Sequence, residues 1–189
     1  ENSPHILHDI NFTMQAGTTL GILGGTGSGK STLMLLLDRM YDLPAENGRI
    51  TIGGVDIADM KAEHLRSNIG MVLQEPFLFS RSLKDNIGIT NDSLTLSDIR
   101  EAAKAACLDE AIDGFAKGYD TIVGERGVTL SGGQKQRTAI ARMLTQKAPI
   151  MVFDDSLSAV DSETDAKIRQ ALRKNLGDST VILISHRVT

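Results

Sequence analysis

The sequence feature that most constrains the fold is a glycine-rich stretch that ends in Lys-Ser-Thr. Its residues are Gly24, Gly25, Thr26, Gly27, Ser28, Gly29, Lys30, Ser31 and Thr32, which match the pattern G-x-x-x-x-G-K-[S/T]. The apolar run at 19–23 before it predicts a buried strand. The run at 31–37 after it predicts a helix without a polar face, buried against a sheet. Strand, glycine loop and helix in this order are the context that a phosphate-binding loop requires.

The residues of this loop predict a nucleotide site. Glycines allow backbone N–H groups to point inward, and the positive N-terminus of the next helix strengthens the anion site. Lys30 would reach the β- and γ-phosphates, and the Ser31 hydroxyl would bind Mg²⁺. A glycine-rich turn that merely precedes Lys-Ser is the alternative, and the flanking strand and helix count against it.

Composition restricts the class of protein. The chain has 189 residues, 41% of them hydrophobic, which suits one globular domain with a sizeable core. Its net charge of −4 argues against nucleic acid as the main partner. No apolar run approaches the roughly 18 residues that span a bilayer. The single cysteine, Cys107, permits no internal disulfide, fits a reducing compartment and is best interpreted as a small core residue.

The remaining patterns predict an α/β fold with a P-loop NTPase core, a mostly parallel sheet, an antiparallel β subdomain and a helical insert. Alternating polarity predicts a strand at 6–14 and a hairpin at 47–57 that turns on Gly53-Gly54. Further buried strands are expected at 69–73, 150–154 and 180–184, and helices at 97–106 (with Ser97 as N-cap), 108–115 and about 162–176. The aromatic loop at 76–79 is either a partner surface or buried under the insert.

A second anion site is predicted by Leu130-Ser131-Gly132-Gly133-Gln134, which runs directly into a helical stretch at 135–144. Ser131 is a natural N-cap, and the two glycines leave backbone N–H groups uncovered. A simple glycine-capped helix start would explain this stretch equally well.

Four polar residues lie just past the carboxyl ends of predicted strands: Lys30, Gln74, Asp154 and His186. Ligands bind at this edge of an open parallel sheet, so their joint arrival predicts a site. Asp154 can hold Mg²⁺ opposite the Ser31 hydroxyl, directly or through water. For His186 alone, a histidine satisfied at a strand end would be the simpler interpretation.

Six segments resemble, in order and spacing, the motifs of an ABC-transporter nucleotide-binding domain. The Walker A, Q-loop, signature, Walker B, D-loop and H-loop correspond in turn to Gly24–Thr32, Gln74, Leu130–Gln134, Ile150–Asp154, Ser158–Asp161 and His186. A signature after a Walker A is specific to the ABC superfamily, and this match covers nearly the whole chain. Gln74–Phe79 and Gly124–Gly127 resemble the exporter branch, where Glu125 lies in a loop that faces the membrane domains.

The resemblance implies how such a domain works. ATP and Mg²⁺ are the expected cofactors, with Gly24–Thr32 and Ser131–Gln134 binding nucleotide and Ser31, Gln74 and Asp154 binding the metal. Two domains would stack head to tail, each ATP lying between the Walker A of one and the signature of the other. Closure would drive export through transmembrane domains of the same transporter, at the cytoplasmic face of the cell membrane.

The same resemblance assigns catalytic roles to Asp155, His186 and Gln74, and it exposes three departures. The aromatic that stacks on adenine would lie upstream of Glu1, and the chain stops soon after the H-loop. We therefore expect a fragment of a longer subunit, with its core at about 1–74 and 146–189 and its helical subdomain at about 75–145. Where the family has a glutamate that polarises the attacking water, this chain has Asp155.

The effect on the hydrolysis rate of an aspartate, rather than a glutamate, at position 155 can be estimated. An aspartate carboxylate lies roughly 1.5 Å, one C–C bond, short of a glutamate carboxylate. A misplacement of about 1 Å can cost on the order of 10²-fold in rate, so slow hydrolysis and an unlike partner are expected. The alternatives are a nucleotide-dependent switch without turnover of its own, and a soluble ABC ATPase with no role in transport.

Overall fold

A parallel sheet forms the centre of the fold in the computed structural model, which describes residues 6–127, 129–155, 160–175 and 177–186. The strands of this four-stranded sheet lie in the order β1-β6-β5-β4, and every neighbouring pair is parallel. The strands are β1 (Thr19–Leu23), β4 (Ile69–Val72), β5 (Ile150–Asp154) and β6 (Thr180–Ser185). The predicted hairpin is a separate antiparallel pair, made of β2 (Thr51–Ile52) and β3 (Val55–Asp56).

Seven α-helices surround the sheet in the described part of the chain. They are α1 (Lys30–Leu37), α2 (Ala62–Ser67), α3 (Leu83–Gly88), α4 (Leu96–Ala105), α5 (Asp109–Asp113), α6 (Gly132–Gln146) and α7 (Ser162–Asn175). None of these helices combines the length and the apolar character that a bilayer span would need. The mixed α/β fold class predicted from the sequence is confirmed.

The side chains alternate in direction along the strands, and both faces of the sheet are buried. On one face, Met151 and Phe153 of β5 join a large core shared with α3, α4, α6 and α7. On the other face, Val152 packs with Met34 of α1 and Leu65 of α2. Side chains of successive strand residues point to opposite faces of a sheet. One face of β5 therefore shares a core with the helical insert, and the other face packs against α1 and α2. The domain boundary expected near residue 145 stays a prediction.

Three expectations about local structure were wrong. The structure has no strand at 6–14, since no neighbouring strand in the described chain pairs with that segment, and an unpaired strand is not stable. The predicted burial of β1 fails because β1 is an edge strand, so that Leu23 is 58% exposed. Helix α4 is capped by Thr95 rather than Ser97, in a capping box closed by Asp98.

The apolar helix α1 is also less buried than its sequence predicts, since only Lys30 and Met34 are fully buried along it. The aromatic loop lies at the surface, with Phe77 56% and Phe79 42% exposed. Burial of the two rings under the helical insert is therefore excluded, although Leu78 between them is fully buried.

Candidate functional site

The glycine loop connects the carboxyl end of β1 to the first turn of α1. Gly29 precedes the helix with φ +87°, a conformation that side chains with a Cβ rarely adopt. A Cβ there would also lie 2.7 Å from Leu7 Cδ2 and 2.9 Å from Ile6 Cγ2. No side chain caps the N-terminus of α1, so its first N–H groups face the loop without a side-chain partner. This is the arrangement that binds a phosphate.

Lys30 supplies the positive charge inside this loop. Its Nζ donates hydrogen bonds to the carbonyl oxygens of Gly24 and Gly25, both at 2.7 Å, and to Ser28 Oγ at 3.2 Å. The side chain is 7% exposed, and Nζ lies 3.3 Å from Nδ1 of His186. The structure thus brings the ends of β1 and β6 together through these two side chains, as expected for neighbouring parallel strands.

Ser31 and Asp154 form the next part of the site. Ser31 Oγ donates to Asp154 Oδ2 at 2.7 Å, although the two residues lie 123 positions apart. Asp154 is 3% exposed, and its Oδ1 is buried without a hydrogen-bond partner among the described residues. A buried carboxylate oxygen without a partner is costly unless a ligand satisfies it.

This pair fits Mg²⁺ rather than a metal held by a protein cage. The described residues contain no group of three or more His, Cys, Asp or Glu that could hold a metal ion. Mg²⁺ typically takes one or two carboxylates and completes its shell with water and substrate phosphates. One hydroxyl and one unsatisfied carboxylate oxygen beside a phosphate loop are such a donor set.

Asp155 follows directly and is half-buried. Its backbone N–H donates to the Ile184 carbonyl at 3.0 Å, which extends the pairing of β5 with β6. Its φ is +43°, in the left-handed region that aspartate tolerates better than most residues. The position of its carboxylate is therefore set by a backbone that a neighbouring strand holds in place.

Gln74 lies past the end of β4 with an exposed side chain. Its described contact is made by the main chain, whose carbonyl accepts from Gln136 Nε2 at 3.3 Å. The structure thus places Gln74 at the predicted edge but shows no described contact from its side chain to Ser31 or Asp154.

The second predicted anion site lies at the N-terminus of α6. Ser131 is the N-cap: its Oγ accepts from the Gln134 N–H at 3.2 Å, and its own N–H donates to Gln134 Oε1 at 2.9 Å. An open cleft of about 390 Å³ lies in front of this terminus. It is lined by Ser131, Gly132, Gly133, Arg137, Val160 and Asp161. No residue of the glycine loop lines it, so the two anion sites are separate within one chain.

Part of the predicted D-loop lines the same cleft. Asp161 also caps α7, since its Oδ1 accepts from the Thr164 N–H at 2.9 Å. Ser158 and Ala159 lie outside the described residues. Arg137 was not singled out from the sequence; its Nη1 donates to the Cys107 carbonyl at 2.8 Å, and its Nε is buried without a described partner. An arginine one turn after a glycine-capped helix start was the signal that could have identified it.

Comparison with known proteins shows the family to which this chain belongs. The model of the ABC transporter family matches residues 7–158. A putative multidrug export ATP-binding/permease protein, YgaD, of Bacillus subtilis (strain 168) is 44% identical over all of this chain, which covers 32% of that protein. The beta-(1→2)glucan export ATP-binding/permease protein NdvA of Agrobacterium fabrum is also 44% identical over the full chain and is covered to 32%.

A solved structure agrees with the sequence relatives. The structure of a bacterial Atm1-family ABC exporter with ATP bound superposes with a TM-score of 0.92 at 42% identity. The match covers 96% of this chain and 32% of that one, so the chain spans about a third of the length of its relatives. From the fold and these matches, we conclude that the chain belongs to the ABC transporter family, as an ATP-binding domain.

Proposed function

We propose that this domain binds ATP together with Mg²⁺ and acts as an ATPase that powers export. The observation that carries the proposal is the Ser31–Asp154 hydrogen bond beside Lys30, with Asp154 Oδ1 left unsatisfied. These groups offer a cation and a metal-binding carboxylate at the mouth of one phosphate loop, which is what a nucleoside triphosphate requires.

The chain's own residues position the reactants. The N–H groups of the glycine loop and Lys30 Nζ hold the phosphates, exchanging the present contacts with Gly24 and Gly25 for phosphate oxygens. Ser31 and Asp154 would hold Mg²⁺, which when bound neutralises charge on the β- and γ-phosphates. Asp155 would orient the attacking water, and His186, already near Lys30 Nζ, would contact the γ-phosphate.

Two copies are needed to complete each site. The cleft at Ser131–Gly133 provides helix N–H groups for a phosphate but contains no lysine of the glycine loop. A head-to-tail pair would place this cleft over the γ-phosphate held by the other copy. The aspartate at position 155 favours an unlike partner that has a glutamate at the corresponding position. The side chain of Asp155 is one methylene shorter than that of glutamate, so its carboxylate does not reach as far.

The transport role rests on the relatives, whose names describe export ATP-binding/permease proteins. We propose that this domain works at the cytoplasmic face of the cell membrane, with transmembrane domains contacting the loop of Glu125 and the exposed rings of Phe77 and Phe79.

ATP titration tests the proposal. We expect Mg²⁺-dependent binding to the native chain and loss of that binding in Lys30→Ala, because Lys30 supplies the cation inside the loop. Lys117→Ala, which removes an exposed lysine outside the site, is the matched control. Equal affinities of the native chain and Lys30→Ala would contradict the assignment of the phosphate loop.

A further inference from the structure

Helix α6 connects the second predicted anion site to the exposed aromatic loop. The helix begins at the cleft with Gly132 and ends at Gln146. In its second turn, Gln136 Nε2 donates to the Gln74 carbonyl. One turn before its end, Arg142 reaches the exposed aromatic loop. A single rigid helix therefore contacts the cleft and the segment 74–79.

Arg142 makes the strongest of these contacts. Its Nε donates to the Asn86 carbonyl at 2.7 Å, its Nη1 to the Phe77 carbonyl at 2.9 Å, and its Nη2 to Asn86 Oδ1 at 3.0 Å. Its guanidinium also lies over the ring of Phe79, 5.9 Å from the centroid. Burial lowers the pKa of this arginine from its usual value. Hydrogen bonds from a charged donor in a desolvated position are among the strong ones.

Asn86 continues the network from α3 into the loop. It is fully buried; its Oδ1 accepts from the Phe79 N–H and its Nδ2 donates to the Phe79 carbonyl, both at 2.9 Å. Nδ2 also donates to the Ser82 carbonyl at 3.1 Å. Both backbone groups of Phe79 are thus fixed by one amide, which Arg142 in turn orients.

The loop fixed in this way presents two aromatic rings to the surface. Phe77 and Phe79 meet edge to face, with centroids 5.0 Å apart, and both remain largely exposed. Surface loops are normally more mobile than the elements that they connect. Here the main chain beneath the two rings is held to α6, so a shift of α6 must move or strain the loop.

We propose that Arg142 is a positioning residue that couples the Phe77–Phe79 loop to the cleft end of α6. When the cleft closes on a nucleotide held by a second copy, the order of the loop changes. Because coupling is reciprocal, a partner that binds the loop changes the free energy of closure by the same amount. This inference rests on the proposed function, since closure requires the head-to-tail pair.

The alternative is that Arg142 only packs α6 against α3. Thr145 provides the matched control, because its hydroxyl lies 2.7 Å from the carbonyl oxygen of Arg142 and 3.1 Å from that of Ile87, in the same helix pair but away from the aromatic loop. Thr145→Val removes this hydroxyl with little change in shape. Arg142→Lys keeps the positive charge but loses the planar fork that holds three acceptors together.

Hydrogen exchange followed by mass spectrometry tests the inference, with ATP-dependent dimer formation measured in parallel by sedimentation. In the native chain we expect ATP with Mg²⁺ to change exchange at the Phe79 amide by roughly fivefold or more. Gly132→Asp, which should bind ATP without closing, should show no such change. Arg142→Lys should lose the change while still forming the dimer, and Thr145→Val should keep it.

Each outcome decides the question. Absence of the ATP effect in a native chain that forms the dimer would overturn the inference while leaving the proposed function intact. A retained effect in a folded Arg142→Lys, or an equal loss in Thr145→Val, would also overturn it. If the native chain formed no ATP-dependent dimer, the head-to-tail pairing of two copies would fail and the inference with it.

Discussion

Replacing Asp155 by glutamate should raise ATP hydrolysis by the domain. The change adds one methylene without changing charge, which moves the carboxylate roughly 1.5 Å outward from the end of β5. The backbone cannot supply this reach, since the Asp155 N–H is held by the Ile184 carbonyl at 3.0 Å. A catalytic group that is misplaced by about 1 Å lowers the reaction rate on the order of 10²-fold.

The structure also shows why the full factor is not expected. Asp155 has φ +43°, and the left-handed region costs roughly 1 kcal/mol or more for a residue such as glutamate that lacks a short polar side chain. Part of the gain is therefore offset by strain at the strand end. We expect at least about a tenfold rise in turnover per dimer.

Steady-state phosphate release measures this effect, at protein concentrations that allow self-association. Asp155→Asn is the control, because asparagine tolerates the same backbone conformation and removes the charge. Unchanged turnover in Asp155→Glu together with a sharp loss in Asp155→Asn would refute the reasoning. In that case Asp155 already serves as the base, and the case for an unlike partner disappears.

Three further predictions follow from the geometry. Ser31→Ala should weaken ATP binding about tenfold with Mg²⁺ and little without it, in matched calorimetric titrations, because Ser31 and Asp154 share the metal. ATP and GTP should bind within about tenfold of each other in competition, since the side chains packed on the glycine loop are aliphatic. Gly70→Val should lower the free energy of unfolding in urea by about 1–3 kcal/mol, because a Cβ there would lie 2.8 Å from Met143 Cγ. Gly21→Val, on the open edge strand, is the control and should change it by less than about 0.5 kcal/mol. A large base preference, or equal effects of Ser31→Ala with and without Mg²⁺, would contradict the site geometry.

Periodic patterns predicted the core of the fold well. The bounds of β1 and β5 coincide with the apolar runs, and the hairpin turns at the predicted glycines. Failures occurred where tertiary context decides the outcome: alternation at 6–14 resembles a strand, but strand formation requires a partner. The cap of α4 was missed because aspartate, rather than glutamate or glutamine, closes the box at Thr95.

The candidate site, like the fold, could be predicted from the sequence only in part. Lys30, Asp154 and His186 could be placed at one sheet edge, because parallel strands end on the same side. Their hydrogen bonds, and the unsatisfied Asp154 Oδ1, required coordinates. Arg142 and Asn86 could not be found from the sequence, since neither lies in a motif with known chemistry and their contacts span 56 residues. The catalytic roles of Asp155, His186 and Gln74 stay predictions.

We propose that the two predicted anion sites of one chain serve different nucleotides, and mixing two defective variants tests this most directly. Lys30→Ala lacks a working phosphate loop, and Gly132→Asp places a carboxylate against the γ-phosphate at the cleft. Neither variant alone should form an ATP-dependent dimer in sedimentation. An equimolar mixture should form one, because the mixed pair contains one intact site built from the glycine loop of Gly132→Asp and the cleft of Lys30→Ala. A mixture that stays monomeric under conditions where the native chain dimerises would contradict the head-to-tail arrangement.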